Sequence, residues 1–408
     1  MEPAGKIAPQ PWMTRPQTAA VMDALAADGA PARFVGGCVR DALLGRPVRD
    51  IDIATAEPPD RVMTLLQGAG VRAIPTGVEH GTVTAVLDHE HFEVTTLRRD
   101  VETFGRRARV AFTDDWAADA ARRDFTINAI FCDPDGTLYD PTGGRPDLEA
   151  GRVRFVGAAL ARIREDVLRL LRFFRLHAWY GTGPADEEAL AACRAMAPEV
   201  ATLSAERVWS ELRRLLLAPD PAAVLDLMAA WQILPHVLPE AGDRARLAQL
   251  VEIEAATGAQ PDAVRRLAAV IEADAAGAAA LAERLRLSRA EARQLALLVA
   301  PTVWPVAGLG APHNRATLYR LGATAFAELA LLGWASDGAG RDAAWRQIWE
   351  LRTARLPDFP LTGADVLALG VPAGKRVGAL LAAVERWWME NDFAPDRDAC
   401  LAHLATLV

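Results

Sequence analysis

Two aspartates separated by one residue are the strongest candidates for chemistry in this sequence. Asp50 and Asp52 lie in the segment RDIDIAT, where charged and apolar residues alternate as they do in a half-buried strand. Side chains two positions apart on a strand point the same way, so both carboxylates share one side while Ile51 and Ile53 face the core. Neighbouring carboxylates repel each other, and Mg²⁺ relieves that repulsion through the oxygen ligands it prefers.

A glycine pair precedes the two aspartates. Gly36 and Gly37 follow the short apolar run ARFV and open a segment with helical spacing. Such a turn lets backbone N–H groups approach phosphates, and Arg40 on the following helix can reach the same anion. A glycine turn followed by Asp-x-Asp on the next strand is an arrangement suited to phosphoryl transfer.

The same residues carry a family resemblance. The pattern GGCVRD…LLGRPVRDIDIAT closely resembles the first motif of the class II tRNA nucleotidyltransferases and bacterial poly(A) polymerases, in the polymerase-β-like superfamily. The resemblance implies that the paired carboxylates hold catalytic Mg²⁺ and that the glycine turn and its arginine hold the triphosphate. The residues concerned are Asp50 and Asp52 for catalysis and metal, and Gly36, Gly37 and Arg40 for the nucleotide.

A second motif and a third acidic residue follow. ARRDFTINAIF resembles the second family motif, and the resemblance implies that Arg123, Asp124 and Asn128 surround the nucleotide sugar. A carboxylate can accept a hydrogen bond from a ribose 2′-OH, which a deoxynucleotide lacks. Glu93, in the β-rich run HFEVTTL, matches a family acidic residue and is predicted as a third catalytic carboxylate.

The segment REDVLRLLRFFR is the most informative predicted helix. Glu165, Asp166 and Arg169 have i, i+3 and i, i+4 spacing and are predicted to share one helix face. The resemblance implies that Asp166 and Arg169 read the incoming base, with Glu165 and Arg172 in the same nucleotide site. Cytosine and adenine both present an amino donor beside a ring acceptor, and guanine and uracil present the reverse order. A carboxylate beside a guanidinium therefore selects C and A, because the wrong base leaves buried polar groups unpaired.

Two further segments have predicted supporting roles. LSAERVWSELRRLL resembles the last family motif, and Glu206 and Arg207 within it are predicted to brace the helical domain. Arg98–Trp116, which is rich in arginine and has no clean periodicity, matches a mobile loop that the family links to the switch from C to A addition.

The periodicity predicts an α+β fold, with an N-terminal sheet domain followed by an all-α C-terminal region. The family resemblance implies that the sheet domain is a polymerase-β-like nucleotidyltransferase domain. GTVTAVL and HFEVTTL predict an antiparallel hairpin, residues 114–131 a helix, and the chain beyond residue 160 almost only helices. The predicted domains are a tail and short helix (1–30), a catalytic head (31–155), a nucleotide-recognition neck (156–240) and a tRNA-binding body and tail (241–408).

The composition bears on how the protein could bind a polyanion and on its cellular location. The chain has 408 residues and a net charge of −8, so any polyanion must bind at local arginine clusters rather than through overall charge. Four scattered cysteines without a CxxC pair argue against a disulfide framework or a zinc site and favour the cytoplasm. No apolar run is long enough to predict a membrane span.

These observations together predict an enzyme that adds or repairs the 3′-terminal CCA of tRNA from CTP and ATP without a template. The predicted chemistry is a two-metal, in-line attack of the RNA 3′-OH on the nucleotide α-phosphate, with pyrophosphate release. A poly(A) polymerase, or an A-only or CC-only adding enzyme, of the same family is the alternative, although FEVTTLRRDVETFGRRARVAFTDDW looks more like the CCA-adding type. A catalytically inactive tRNA-binding protein is a further alternative, which the intact acidic and basic motifs disfavour. Oligomeric state and the way addition stops are not predicted.

Overall fold

The structure is a computed structural model that describes residues 1–104, 107–242 and 244–408. The chain divides into two compact units. The first unit comprises Met1–Ala218 and Val224–Pro239, and the second comprises Pro219–Ala223 and Glu240–Val408. Every residue of the candidate site belongs to the first unit.

The described strands all lie in the first 140 residues. They are β1 (Gly5–Lys6), β2 (Ala32–Val35), β3 (Ile51–Thr55), β4 (Arg72–Gly77), β5 (Thr82–Leu87), β6 (Glu90–Thr96), β7 (Arg98–Phe104), β8 (Arg107–Phe112), β9 (Phe131–Cys132) and β10 (Thr137–Tyr139). Eight of them form one sheet in the order β1-β10-β9-β2-β3-β6-β5-β4, in which only the β3–β6 pairing is parallel.

Helices frame the sheet and then make up the rest of the described chain. Those of the first unit are α1 (Pro11–Thr14), α2 (Pro16–Leu25), α3 (Gly37–Leu43), α4 (Pro59–Gly68), α5 (Trp116–Ala121), α6 (Gly144–Glu149), α7 (Ala159–Glu165), α8 (Leu168–Tyr180), α9 (Glu187–Met196), α10 (Ala205–Leu216), α11 (Pro221–Ala230, which begins in the second unit) and α12 (Leu234–Val237). Those of the second unit are α13 (Arg244–Thr257), α14 (Ala263–Val270), α15 (Ala275–Arg284), α16 (Arg289–Val299), α17 (Gly310–Asp337), α18 (Asp342–Leu351), α19 (Gly363–Ala368), α20 (Lys375–Glu390) and α21 (Arg397–Ala405).

The alternation of side chains along β2 and β3 separates two hydrophobic clusters. Phe34, Ile51 and Ile53 are buried in one cluster together with residues of α2 and α4. Val35 and Ala54 belong to the other cluster, on the opposite face of the sheet. The burial of both isoleucines leaves the intervening Asp52 on the second face, as the alternating pattern predicts.

The predicted α+β fold class is confirmed, since the mixed sheet is followed by a helical region without a described strand after β10. The predicted hairpin is present as β5 and β6, whose turn residues Asp88 and His89 have φ values of 47° and 67°. None of the described helices is both long and apolar enough to cross a membrane.

Two local predictions need correction. The helix predicted over residues 114–131 covers only Trp116–Ala121, and the chain then passes through a short 3-10 helix at Thr126–Asn128 into β9. The segment predicted to be a loop forms the two-stranded sheet β7–β8, with Arg98 paired to Phe112. Gly105 and Arg106, at the centre of that segment, lie outside the described residues.

Candidate active site

The two aspartates occupy different positions at the start of β3. The strand was predicted from Arg49 but begins at Ile51, so Asp50 lies in the bend before it and is exposed. Asp52 is partly buried within the strand. Glu93 lies directly beside it in the parallel pairing of β3 with β6, which are central strands of the sheet. The structure thus brings the three predicted carboxylates together near the start of β3, and this group is called the acidic edge below.

Burial and this grouping make ionisation of Asp52 less favourable than that of an isolated aspartate. Burial, followed by the negative charge of Glu93, raises the pKa of Asp52 to about 6, and Asp50 acts in the same direction. The positive charges of Arg123 and Arg40 oppose the shift without cancelling it. Additional positive charge at this edge would therefore stabilise the ionised carboxylate.

The glycine turn leads into α3 next to Asp52. Gly36 has φ 76° and ψ −129°, a conformation that only glycine adopts easily, and a Cβ there would lie 3.5 Å from Asp52 Oδ2. Arg40, on α3, is only 8% exposed and donates from Nη1 to Asn128 Oδ1 at 2.7 Å. The turn, the strand carboxylate and the second motif are thus adjacent.

The second motif is organised by an aspartate that the sequence analysis did not single out. Asp119, on α5, is 1% exposed and forms ion pairs with Arg122 at 2.8 Å and with Arg123 at 2.9 Å. Burial alone would raise the pKa of Asp119, but the charges of Arg123 and Arg122 outweigh it and lower the pKa. Asp119 therefore stays ionised and fixes both arginines where α5 ends.

Asp124 joins the second motif to α8. It accepts hydrogen bonds from Arg172 Nε at 2.7 Å and from Asn128 Nδ2 at 3.3 Å. Burial opposes its ionisation, yet Arg172 lowers the pKa of Asp124 below its usual value. Arg172 also lies 3.9 Å from Glu211 on α10, which accepts from Arg175 at 2.5 Å, so these charges form one network.

The predicted helix over 164–175 is broken at the residue proposed to read the base. α7 ends at Glu165 and α8 begins at Leu168, while Asp166 between them has extended backbone angles. Its Oδ1 accepts from the backbone N–H of Leu168 at 3.1 Å and its Oδ2 accepts from Arg207 at 2.7 Å. Asp166 therefore does not share a helix face with Arg169, because its own side chain holds the break.

Glu165 and Arg169 pair across this break as the spacing predicted. The carboxylate of Glu165 lies 2.6 Å from Arg169 and 2.6 Å from Arg162. Arg169 also donates to the backbone oxygen of Arg162 at 3.1 Å. Glu165 thus holds the arginine in place rather than facing the cavity described next.

A cavity of about 500 Å³ collects most of these side chains. Its lining consists of Gly36, Gly37, Arg40, Asp52, Arg122, Arg123, Asp124, Asn128, Asp166, Leu168, Arg169, Arg172, Arg175 and Arg207. Seven arginines and three aspartates line it. Acids behind the lining pair with several of these arginines, and the guanidinium groups at the cavity provide hydrogen-bond donors for a polyanionic ligand.

Most of the predicted site residues line the cavity, and three of them do not. Those outside the lining are Asp50, Glu93 and Glu165. Arg122, Leu168, Arg175 and Arg207 line it without having been predicted as site residues. The motif that contains Arg207 was recognised, and Arg207 was predicted to brace the helical domain. Its contact with Asp166 was not predicted, because 41 residues of sequence separate the two.

Known proteins are similar to this chain over nearly its whole length. The chain is 36% identical over 384 residues to the CCA tRNA nucleotidyltransferase 1 of Danio rerio, a match covering 91% of this chain and 86% of that protein. The chain belongs to the CCA tRNA nucleotidyltransferase family. It is therefore an enzyme of nucleotidyl transfer, and the predicted family resemblance is confirmed.

Other comparisons agree with this family. Residues 32–154 match the poly A polymerase head domain, and residues 185–243 match a probable RNA- and SrmB-binding site of polymerase A. The crystal structure of the Bacillus stearothermophilus CCA-adding enzyme in complex with CTP has a TM-score of 0.74 and 29% identity, covering 97% of this chain and 98% of that one. A CCA-adding enzyme of Geobacillus thermodenitrificans is 43% identical over 203 residues, 49% of each chain.

Enzymes of this family generally use a divalent metal. The acidic edge could hold such an ion if phosphate oxygens of a bound nucleotide completed its ligands. In the part of the chain that the structure describes, no group of three or more His, Cys, Asp or Glu side chains could hold a metal alone. The raised pKa of Asp52 nevertheless marks a place where a cation is favoured. Mg²⁺ is commonly held by one or two carboxylates together with phosphate oxygens, which matches an incomplete protein donor set.

Proposed function

We propose that this enzyme builds or repairs the 3′-terminal CCA of tRNA from CTP and ATP without a nucleic-acid template. The observation that carries the proposal is the cavity, whose lining brings together seven arginines, Asp52 of the acidic edge and the pair Asp166 and Arg169. Those three features correspond to the triphosphate, the reacting phosphate and the base of a nucleotide. The named activity of the Danio rerio relative, at 36% identity, supports the same reaction.

At the reacting end, Asp52 and Asp50 would hold Mg²⁺, with Glu93 as a third carboxylate that sharpens the negative potential. When bound, the metal supplies positive charge to the attacking 3′-hydroxyl and to the departing pyrophosphate. Gly36, Gly37 and Arg40 are assigned to the triphosphate, because the turn admits an anion closely and the guanidinium lines the same cavity.

At the sugar, we assign Asp124 and Asn128, with Arg123 beside them. Asp124 is kept ionised by Arg172, so it can accept a hydrogen bond from a ribose hydroxyl. A deoxynucleotide lacks the 2′-hydroxyl and could not form that additional hydrogen bond, which disfavours its binding.

At the base, Asp166 and Arg169 remain the proposed readers despite the break between them. Both line the cavity, so the carboxylate can accept from the exocyclic amino group while the guanidinium donates to the neighbouring ring nitrogen. Arg207 positions Asp166, and Glu165 positions Arg169, in contacts of 2.7 Å and 2.6 Å. Selection of C and A then depends on two side chains whose geometry is set before the nucleotide binds.

We also retain the proposed division into a tail (1–30), a head (31–155), a neck (156–240) and a tRNA-binding region (241–408). The last of these would grip the tRNA by shape and backbone charge. We propose a cytoplasmic location, supported by four buried free cysteines, whereas the vertebrate relatives carry mitochondrial names.

The direct test uses a tRNA that ends at the discriminator base. Incubation with Mg²⁺, CTP and ATP is expected to add two C residues and one A, and omission of CTP is expected to prevent correct completion. A long A tract without C would contradict the proposal and indicate a poly(A) polymerase. Binding of the tRNA without any incorporation would indicate an inactive tRNA-binding protein.

A further inference from the structure

Tyr180, the last residue of α8, contacts the helix that carries Arg40. Its ring centroid lies 4.0 Å from Cζ of Arg40 and 4.6 Å from Cζ of Arg46, so both guanidinium groups approach the same aromatic ring. Its hydroxyl donates to Asp41 Oδ1 at 2.9 Å. Tyr180 itself does not line the cavity that Arg40 lines.

Hydrogen bonds link Arg40 to Asp41 and Asn128, and Asp41 in turn to Tyr180. Asp41 accepts from Arg40 Nε at 3.0 Å and from Nη2 at 3.2 Å, while Nη1 donates to Asn128. These three hydrogen bonds use three of the five N–H donors of the guanidinium, so donors are left for an anion. Tyr180 orients the Asp41 carboxylate through its hydroxyl and supports the guanidinium with its ring.

We infer that Tyr180 is a positioning residue for the triphosphate: it holds Arg40 in its binding orientation and ties it to the end of α8. The inference rests on the proposed function, which assigns Arg40 to the triphosphate. The same helix carries Arg169 and Arg172 into the cavity near its start. α8 therefore connects the base end of the proposed nucleotide site, at Arg169, with the triphosphate end, at Arg40.

Neighbouring contacts support a dedicated attachment at this helix end. Arg46 donates to the backbone oxygen of Trp179 at 2.9 Å, and Trp179 Nε1 donates to the backbone oxygen of Arg214 at 2.8 Å. Trp179 thus anchors the end of α8 to α10 while Tyr180 contacts α3. This difference makes Trp179→Phe a matched control that disturbs the same helix end without removing the ring beneath Arg40.

The test measures binding of inorganic tripolyphosphate, CTP and ATP by titration calorimetry. Tyr180→Leu is expected to weaken all three by about tenfold, the loss expected for a desolvated cation–π contact. Tyr180→Phe, which keeps the ring, is expected to stay within about threefold of wild type. Trp179→Phe is expected to bind as wild type, and thermal unfolding checks that each variant is folded.

A double-mutant comparison separates positioning from general stabilisation. In an Arg40→Ala background, Tyr180→Leu is expected to cause no further loss of tripolyphosphate affinity, because its effect passes through Arg40. In steady-state incorporation, Tyr180→Leu is expected to raise the KM for CTP and ATP equally, with kcat and base choice little changed. Losses that multiply in the double variant, or wild-type tripolyphosphate affinity in Tyr180→Leu, would overturn the inference.

These experiments distinguish failure of the inference from failure of the proposed function. A wild-type protein that binds tripolyphosphate with the predicted variant pattern but incorporates no CMP or AMP would reject the function and keep the inference. Normal incorporation without any effect of Tyr180→Leu on affinity or KM would keep the function and reject the inference.

Discussion

The two units use buried charge in opposite ways. In the second unit, Arg265 and Arg266 are only 4% and 3% exposed. Both form ion pairs with the carboxylate of Glu254, which is 2% exposed, at 2.6 Å and 2.7 Å. Glu328 adds a further contact to Arg265 at 2.8 Å. In the first unit, arginines outnumber aspartates around the cavity, and Asp52 lies beside other carboxylates with a pKa raised to about 6.

This difference separates charge that serves folding from charge that serves a ligand. The cluster around Glu254 satisfies its own charges, so loss of one member leaves an uncompensated charge inside the second unit. The arginines around the cavity also pair with acids, several of which lie behind its lining. Asp52 differs, because it is buried and has the like charges of Glu93 and Asp50 beside it. A bound cation would offset this crowding of negative charge. Four experiments test this contrast between the two units.

The largest expected effect is on catalysis. Replacing both Asp50 and Asp52 by Ala should lower incorporation of CMP and AMP by at least about 10⁴-fold, because the cation loses its protein ligands. Binding of tRNA, measured by filter retention, should change by less than about threefold, since we assign the tRNA contacts to residues 241–408. Asp60→Ala, which removes an exposed charge of α4, is the control and should incorporate normally. Turnover at the wild-type rate in the double variant would reject the acidic edge as the reacting site.

The next effect concerns folding of the second unit. Glu254→Gln should lower the free energy of unfolding by about 3–5 kcal/mol, because two buried arginines lose a shared charge partner. Glu240→Gln, which breaks the more exposed pair with Arg284, should cost less than about 1 kcal/mol. Urea unfolding followed by circular dichroism measures both. Equal losses in the two variants would remove the contrast between buried and exposed pairs.

A smaller effect is expected on base choice. Arg169→Ala should reduce the preference for CTP over UTP by about 10–100-fold, because the ring nitrogen loses its donor and the mismatch of uracil is no longer penalised. The ratio of kcat/KM values for the two nucleotides is the measurement. Arg164→Ala, an exposed neighbour, should keep the wild-type ratio. A uniform fall for all four nucleotides would show that Arg169 does not read the base.

The sequence was sufficient for those parts of the site that depend on local patterns. The alternation in RDIDIAT predicted that Ile51 and Ile53 of β3 face the core, and the glycine pair predicted the turn before α3. These features depend on strand periodicity and backbone freedom, both of which are properties of a few consecutive residues.

The sequence was insufficient where distant residues decide the local structure. Helical spacing runs without interruption through Glu165 and Arg169, yet Asp166 breaks the helix because its carboxylate binds the N–H of Leu168 and the side chain of Arg207. The contact with Arg207, 41 residues away, is tertiary and overrides the periodicity. Asp119 is a different case, because its ion pairs with Arg122 and Arg123 have the local i, i+3 and i, i+4 spacing of a helix and could have been predicted from the sequence.

Asp52→Asn tests the central claim, that this carboxylate is held at a cost to folding in order to bind a cation and nucleotide. Without divalent ions at pH 7, the variant should be more stable than wild type by about 1–2 kcal/mol, allowing for the part of the carboxyl that solvent screens. The pKa of Asp52 is raised in the folded protein, so its protonation favours folding at low pH, and that benefit is lost as the pH rises through about 6. The gain of the variant should therefore fade as the pH falls from about 6 to about 4.

The decisive measurement is urea unfolding of both proteins across this pH range, together with CMP incorporation into tRNA that lacks CCA. The account predicts an Asp52→Asn protein that is more stable at pH 7 and incorporates almost nothing. A variant that is no more stable than wild type at pH 7 and still incorporates CMP at the wild-type rate would contradict it.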